Sequence, residues 1–77
     1  MKGETAVLTH ADLRLTKREH EIIDLLLRGR SNKEIASQLG VSDQTIKNQL
    51  TTLYRKMDVS SRLELVVKAV NQRINRA

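Results

Sequence analysis

No proline occurs in the 77 residues, and glycine stands only at positions 3, 29 and 40. Proline and glycine are the residues that stop a helix most effectively, so almost the whole chain is open to helix and two interior glycines mark where it must break. Three pairs of a hydroxyl residue and a glutamate three positions later supply the matching starts: Thr16–Glu19, Ser31–Glu34 and Ser61–Glu64. In such a capping box the hydroxyl accepts from the backbone N–H three residues on, and the glutamate reaches back to the N–H of the cap.

These signals predict four helices. The first runs from about Lys17 to Arg28, with Ile22, Ile23, Leu26 and Leu27 as its apolar stripe and Gly29 as its C-cap. The second runs from about Asn32 to Leu39, with Ile35, Ala36 and Leu39 inward and Gly40 closing it in the left-handed conformation. The third starts after Ser42, buries Ile46, Leu50, Leu53 and Met57, and ends near Asp58. The fourth runs from about Arg62 to Asn75, with Leu63, Val66, Val67, Val70 and Ile74 inward. Residues 1–13 have no clear period and read as a flexible N-terminal arm, leaving residues 14–77 as one all-α domain.

A chain this short is stable by a small margin, and with no cysteine it has neither disulfides nor thiolate-bound zinc to help. Close helix packing or self-association must supply the stability. The longest apolar run, residues 22–27, is interrupted by Asp24 and is far short of the roughly 20 residues that span a bilayer. No apolar signal segment follows the N-terminus. The chain therefore reads as cytoplasmic.

The net charge of +5 is unevenly placed: residues 28–56 carry six Lys/Arg against two Asp/Glu. A concentrated basic segment is the electrostatic footprint of a polyanion partner, although it also suits a solubilising surface. With Tyr54 as the one aromatic, the chain lacks the stacking platform of single-strand binders, so a nucleic-acid partner would be a duplex.

The third helix separates these readings. At about 100° per residue, Gln44, Lys47, Asn48, Thr51 and Arg55 fall opposite its core stripe, along roughly 16 Å of axis. Ordinary solvent faces alternate glutamate with lysine, but this ridge has no carboxylate after Asp43. Donors and acceptors in a row suit base edges in a major groove, where amides pair with adenine and lysine reaches guanine O6 and N7. Only Val41 and Ser42 separate Gly40 from the third helix, the short glycine-containing link of a helix-turn-helix unit. Where the other helices have Glu at the third position, Thr45 stands here, leaving backbone N–H groups open to a phosphate.

Four segments in this order, "LTKRE", "SNKEIASQLGVS", "TIKNQLTTLYRKM" and "VSSRLELV", resemble the LuxR/GerE-type helix-turn-helix domain of bacterial transcription regulators over about residues 14–74. The length is similar to that of small standalone members, and the same domain ends longer response regulators and quorum sensors. The resemblance implies a four-helix domain with helix three as recognition helix. Lys47, Asn48 and Thr51 would then meet base edges, with Gln44 beside them on the ridge. Asn32, Lys33, Ser42, Thr45, Tyr54, Arg55 and Arg62 would hold phosphates, and helix four would form the dimer. Departures from the pattern are Gln49 where many members have histidine, Asp58 where glycine or asparagine is commoner, and Leu63 in place of a small or polar residue.

Helix four also carries Leu65, Ala69 and Gln72 on a second flank beyond its expected core stripe, which reads as a homodimer contact. The expected function is a sequence-specific, double-stranded DNA-binding transcription regulator whose bound homodimer touches or blocks RNA polymerase. One alternative is a helix-turn-helix module that only binds protein, such as an antagonist forming mixed dimers. Another is the promoter-reading region four of a sigma factor, which usually stops soon after the recognition helix. His10 and His20 have no cysteine or paired carboxylates arranged around them, and no glycine-rich phosphate loop exists. Enzyme activity, a metal, a cofactor, a small-molecule ligand and a membrane are therefore not expected.

Overall fold

The computed structural model describes the backbone of residues 15–76 and the side chains of residues 15–72. Four helices follow one another: α1 (Lys17–Leu27), α2 (Asn32–Leu39), α3 (Asp43–Met57) and α4 (Arg62–Arg76). No strand occurs among the described residues. The proposed arm and the inward placement of Ile74 lie outside the described residues and side chains.

The starts follow the sequence signals closely. Thr16 and Ser31 each accept from the N–H of the glutamate three residues on, and Glu19 and Glu34 each accept from the cap's own N–H, completing both boxes. The third box is only half formed. Ser61 accepts from the Glu64 N–H at 3.2 Å, but the Glu64 carboxylate reaches one residue further back, to the N–H of Ser60 at 2.8 Å.

The stops of α1, α2 and α3 share a single device. Arg30 N–H donates to Leu25 O and Gly29 N–H to Leu26 O; Val41 N–H donates to Ala36 O and Gly40 N–H to Ser37 O; Val59 N–H donates to Tyr54 O and Asp58 N–H to Arg55 O. Each pair closes a Schellman motif around one residue in the left-handed region, which satisfies carbonyls that a helix end leaves without partners. Gly29 and Gly40 occupy that position twice, at φ of 82° and 72°. At the third turn Asp58 occupies it with φ 58°, a conformation that an aspartate tolerates better than most residues with a side chain. Gly29 therefore lies just past the end of α1, and Arg28 is the cap itself.

The core is one cluster: Ile22, Ile23, Leu25 and Leu26 from α1, Ile35 and Ala36 from α2, Ile46, Leu50, Leu53 and Met57 from α3, and Leu65 and Ala69 from α4. The inner stripe of α3 is the one expected. On α1, Leu25 is buried and Leu27 only half-buried, because α1 packs against both α2 and α4 and its covered face is broader than one stripe.

The fourth helix departs most from expectation. Leu65 at 0% and Ala69 at 5% exposure belong to the core, whereas Leu63 at 72%, Val67 at 49% and Val70 at 38% face outward. Val66 is half-buried and Gln72 is partly covered. Leu65 and Ala69 are thus not a dimer surface. This helix has two apolar flanks, and the one with the small Ala69 sits against the body, where a short side chain lets helices approach. Periodicity locates two such flanks without saying which is inside.

Two polar ties fix the helices further. The Lys68 ammonium donates to the Met57 carbonyl at 2.7 Å, meeting the negative end of α3 with a charge carried on α4. The buried Glu19 carboxylate accepts from the Lys56 ammonium at 2.9 Å as well as from the Thr16 N–H at 2.8 Å, joining the first turn of α1 to the last turn of α3. Burial works to raise the Glu19 pKa, but the Thr16 backbone bond and the Lys56 ammonium outweigh it and hold the carboxyl below its ordinary value.

A depressed carboxylate stabilises the fold fully above its unfolded pKa of about 4.3, and that contribution is lost as pH falls through the folded value. Glu19→Gln is accordingly expected to cost about 1–2 kcal/mol near pH 7. The difference from the parent protein should shrink below pH 4, as read from urea unfolding midpoints across pH.

Candidate nucleic-acid interface

Because Ile46, Leu50, Leu53 and Met57 are all buried, the rotation of α3 about its axis is fixed, and so is what it presents outside. Gln44, Lys47, Asn48, Thr51 and Arg55 are all exposed, in the continuous ridge expected from the sequence. Lys47 and Arg55 make no hydrogen bond or ion pair among the described residues, and no carboxylate on α3 beyond Asp43 interrupts the row.

The remaining ridge side chains hold one another. Gln44 donates its amide to Asn48 Oδ1 at 3.0 Å, a pairing of residues one turn apart. This leaves the Asn48 NH2 group as the outward donor and the Gln44 oxygen as an outward acceptor. The Thr51 hydroxyl donates back to the Lys47 carbonyl at 3.1 Å, and that of the half-buried Thr52 to the Asn48 carbonyl at 3.3 Å. Such back-bonds fix the threonine rotamers against the helix.

The start of α3 is more occupied than its sequence suggested. Ser42 Oγ accepts from the Thr45 N–H at 3.0 Å and pairs with the Thr45 hydroxyl at 2.9 Å. The missing glutamate of a capping box leaves the N–H of Ser42 without its usual reciprocal partner, but Thr45 N–H is satisfied. On the flank towards Lys56, Gln49 is half-buried and its Oε1 is enclosed without a hydrogen-bond partner among the described residues.

The residues expected at phosphates fall into two groups. Arg55 is part of the ridge, Ser42 caps α3, and Thr45 and the core-packed Tyr54 are half-buried on the same helix. Asn32, Lys33 and Arg62 gather where the α1–α2 link meets the start of α4. There the Arg62 guanidinium donates to Asn32 Oδ1 and to the Arg30 carbonyl. Asn32 and Arg62 lie 30 positions apart in the sequence, and no local pattern signals that one grips the other. Lys33 is exposed and lines, with Arg30, Glu34, Ser37 and Gln38, an open depression.

Among the described residues, no group of His, Asp or Glu is placed to hold a metal ion. No helix among them is long and apolar enough to cross a membrane.

The chain matches the family model described as "GerE: Bacterial regulatory proteins, luxR family" over residues 13–69. It is similar to the spore germination protein GerE of Bacillus subtilis, 41% identical over 54 residues that cover 70% of this chain and 73% of that protein. It is 43% identical over 67 residues to the transcriptional regulatory protein LiaR of Bacillus subtilis, covering 87% of this chain and 30% of the relative. The nitrate/nitrite response regulator protein NarP of Escherichia coli is 42% identical over 59 residues, covering 77% of this chain and 27% of the relative. The chain thus spans most of the first relative and less than a third of the other two.

Removing the Arg62 clamp leaves the Arg30 carbonyl and the Asn32 amide without their donor. Arg62→Ala is expected to lower stability by about 1–2 kcal/mol. Arg62→Lys should restore little of that loss, since one ammonium does not reproduce the planar fork. Thermal unfolding followed by circular dichroism reads both.

Proposed function

This chain belongs to the luxR family of bacterial regulatory proteins, and on that premise we propose that it is a sequence-specific, double-stranded DNA-binding transcription regulator acting as a homodimer. The observation that carries the reading is the exposed α3 ridge, which is uncharged or cationic from Gln44 to Arg55 and is fixed in orientation by four buried side chains on the opposite face. An α-helix fits a B-form major groove, and the groove floor offers matching acceptors and donors.

In this mechanism the electrostatic contacts come first. Lys33, Arg55 and the Arg62–Asn32 unit neutralise or bond phosphates, with Ser42, Thr45 and Tyr54 adding neutral contacts, and together they set the register of the protein on the duplex. The α3 ridge then reads base edges through Lys47, Asn48, Thr51 and the acceptor of Gln44. Lysine is suited to guanine O6 and N7, and the outward NH2 of Asn48 to a base acceptor.

Two copies paired through α4 would read two half-sites related by a two-fold axis. The surface for this pairing is the exposed stripe of Leu63, Val67 and Val70, at helical spacing, in place of the Leu65 and Ala69 expected from sequence. Self-association would also stabilise a domain with a small core. The bound dimer, in the cytoplasm beside a promoter, alters transcription by touching RNA polymerase or by blocking it.

Lys47→Ala is expected to weaken binding to a duplex selected from a random pool by about 1–3 kcal/mol, with little loss on random DNA. The log–log slope of affinity against salt should steepen by about 0.9 for each phosphate neutralised. Equal loss on both duplexes would deny Lys47 a base-reading role, and absence of any preferred duplex would favour a protein-interaction module instead. For the pairing, Val67→Lys is expected to shift the protein to monomer in sedimentation equilibrium, while changing the stability of the dilute monomer by no more than about 0.5 kcal/mol, as for exposed sites generally.

A further inference from the structure

Thr51 and Thr52 are consecutive β-branched residues in the middle of α3, a poor choice for helix stability in a small domain. Thr52 is half-buried on the flank, but Thr51 is exposed at the middle of the ridge, one turn after Lys47 and one turn before Arg55. Neither core packing nor propensity accounts for a threonine there. Its hydroxyl proton is already engaged, because Oγ1 donates to the Lys47 carbonyl at 3.1 Å. With the hydroxyl proton engaged by the helix, the Cγ2 methyl is the part of this exposed side chain left for a partner. A lysine, a donor amide and an arginine surround this methyl, so the ridge has one small apolar spot in a polar row.

The floor of the major groove has one matching group. Of the four bases, only thymine carries an apolar substituent there, the C5-methyl. We propose that Thr51 is a specificity-determining residue that reads one thymine in each half-site by methyl-to-methyl contact and not by a hydrogen bond from its hydroxyl. This rests on the DNA-reading function proposed above and adds to it the base and the chemical group recognised at this position. The back-bond to Lys47 serves the contact by holding the rotamer, so that little side-chain freedom is lost on binding.

The test uses the whole 77-residue chain and its preferred duplex recovered from a random pool. Each thymine of that duplex is replaced in turn by deoxyuridine, which pairs identically and lacks only the methyl. At one thymine per half-site the parent protein should bind the substituted duplex about three- to five-fold more weakly, the effect of losing one buried methyl. Thr51→Ser keeps the hydroxyl and its back-bond but lacks Cγ2. It should bind the unsubstituted duplex weaker by the same factor and be indifferent to deoxyuridine at that position. Thr51→Val keeps a methyl and should retain the parent's sensitivity. Should no thymine show methyl dependence, or should Thr51→Ser keep it, the inference is overturned. Recovery of no preferred duplex would instead remove the DNA-reading function, a separate and distinguishable failure.

Discussion

The burial of Ile46, Leu50, Leu53 and Met57 is the constraint on which the rest of this molecule turns. In a body of four short helices, α3 contributes a third of the core residues and cannot rotate about its axis without bringing several of them into water. Each such side chain is worth about 1.5–3 kcal/mol of burial, a large share of the 5–15 kcal/mol that holds a small domain together. The outward ridge is therefore as fixed as the inward one. A helix that must present the same side chains every time is suited to recognition, because little conformational freedom remains to be lost on contact.

The ties at the ends of α3 serve the same purpose. Its N-terminus is held by the Ser42 cap and by the tight link through Gly40 and Val41, and its C-terminus by the Glu19–Lys56 pair. The Glu19 carboxylate completes the capping box of α1 and receives the ammonium from α3, so one partly desolvated charge both caps α1 and holds the last turn of α3 to it. An ion pair alone would be weak support at a surface, but here the carboxylate is buried and also accepts a backbone hydrogen bond. Replacing either member would leave the other incompletely satisfied.

Much of this was legible in the sequence, and what was legible shares a cause. Helix starts and stops rest on local chemistry: a hydroxyl and a glutamate three apart, or a glycine that takes a positive φ without strain. Such signals fixed the bounds of α2 and α3 and nearly those of α1. The α3 core stripe was readable for a related reason, since only one of its faces is apolar. On α4 both flanks are apolar, and the choice between them is made by the shape of the surface it meets, which no local pattern encodes. The Arg62–Asn32–Arg30 junction was hidden likewise, because it joins segments 30 or more positions apart. Asp58 falls between these cases: the end of α3 was expected there, but its left-handed backbone had no glycine to announce it.

The bond from Lys68 to the Met57 carbonyl has a geometric consequence of its own. It ties the helix proposed for pairing to the last turn of the helix proposed for reading, within a single rigid corner closed by Asp58. In a dimer built on α4 the two reading helices would behave like the points of a locked caliper. B-form DNA turns about 35° per base pair, so a caliper of this kind tolerates no extra base pair between the places it touches. The number of untouched central base pairs would then be set by the α3–α4 corner and not by any residue that meets the DNA.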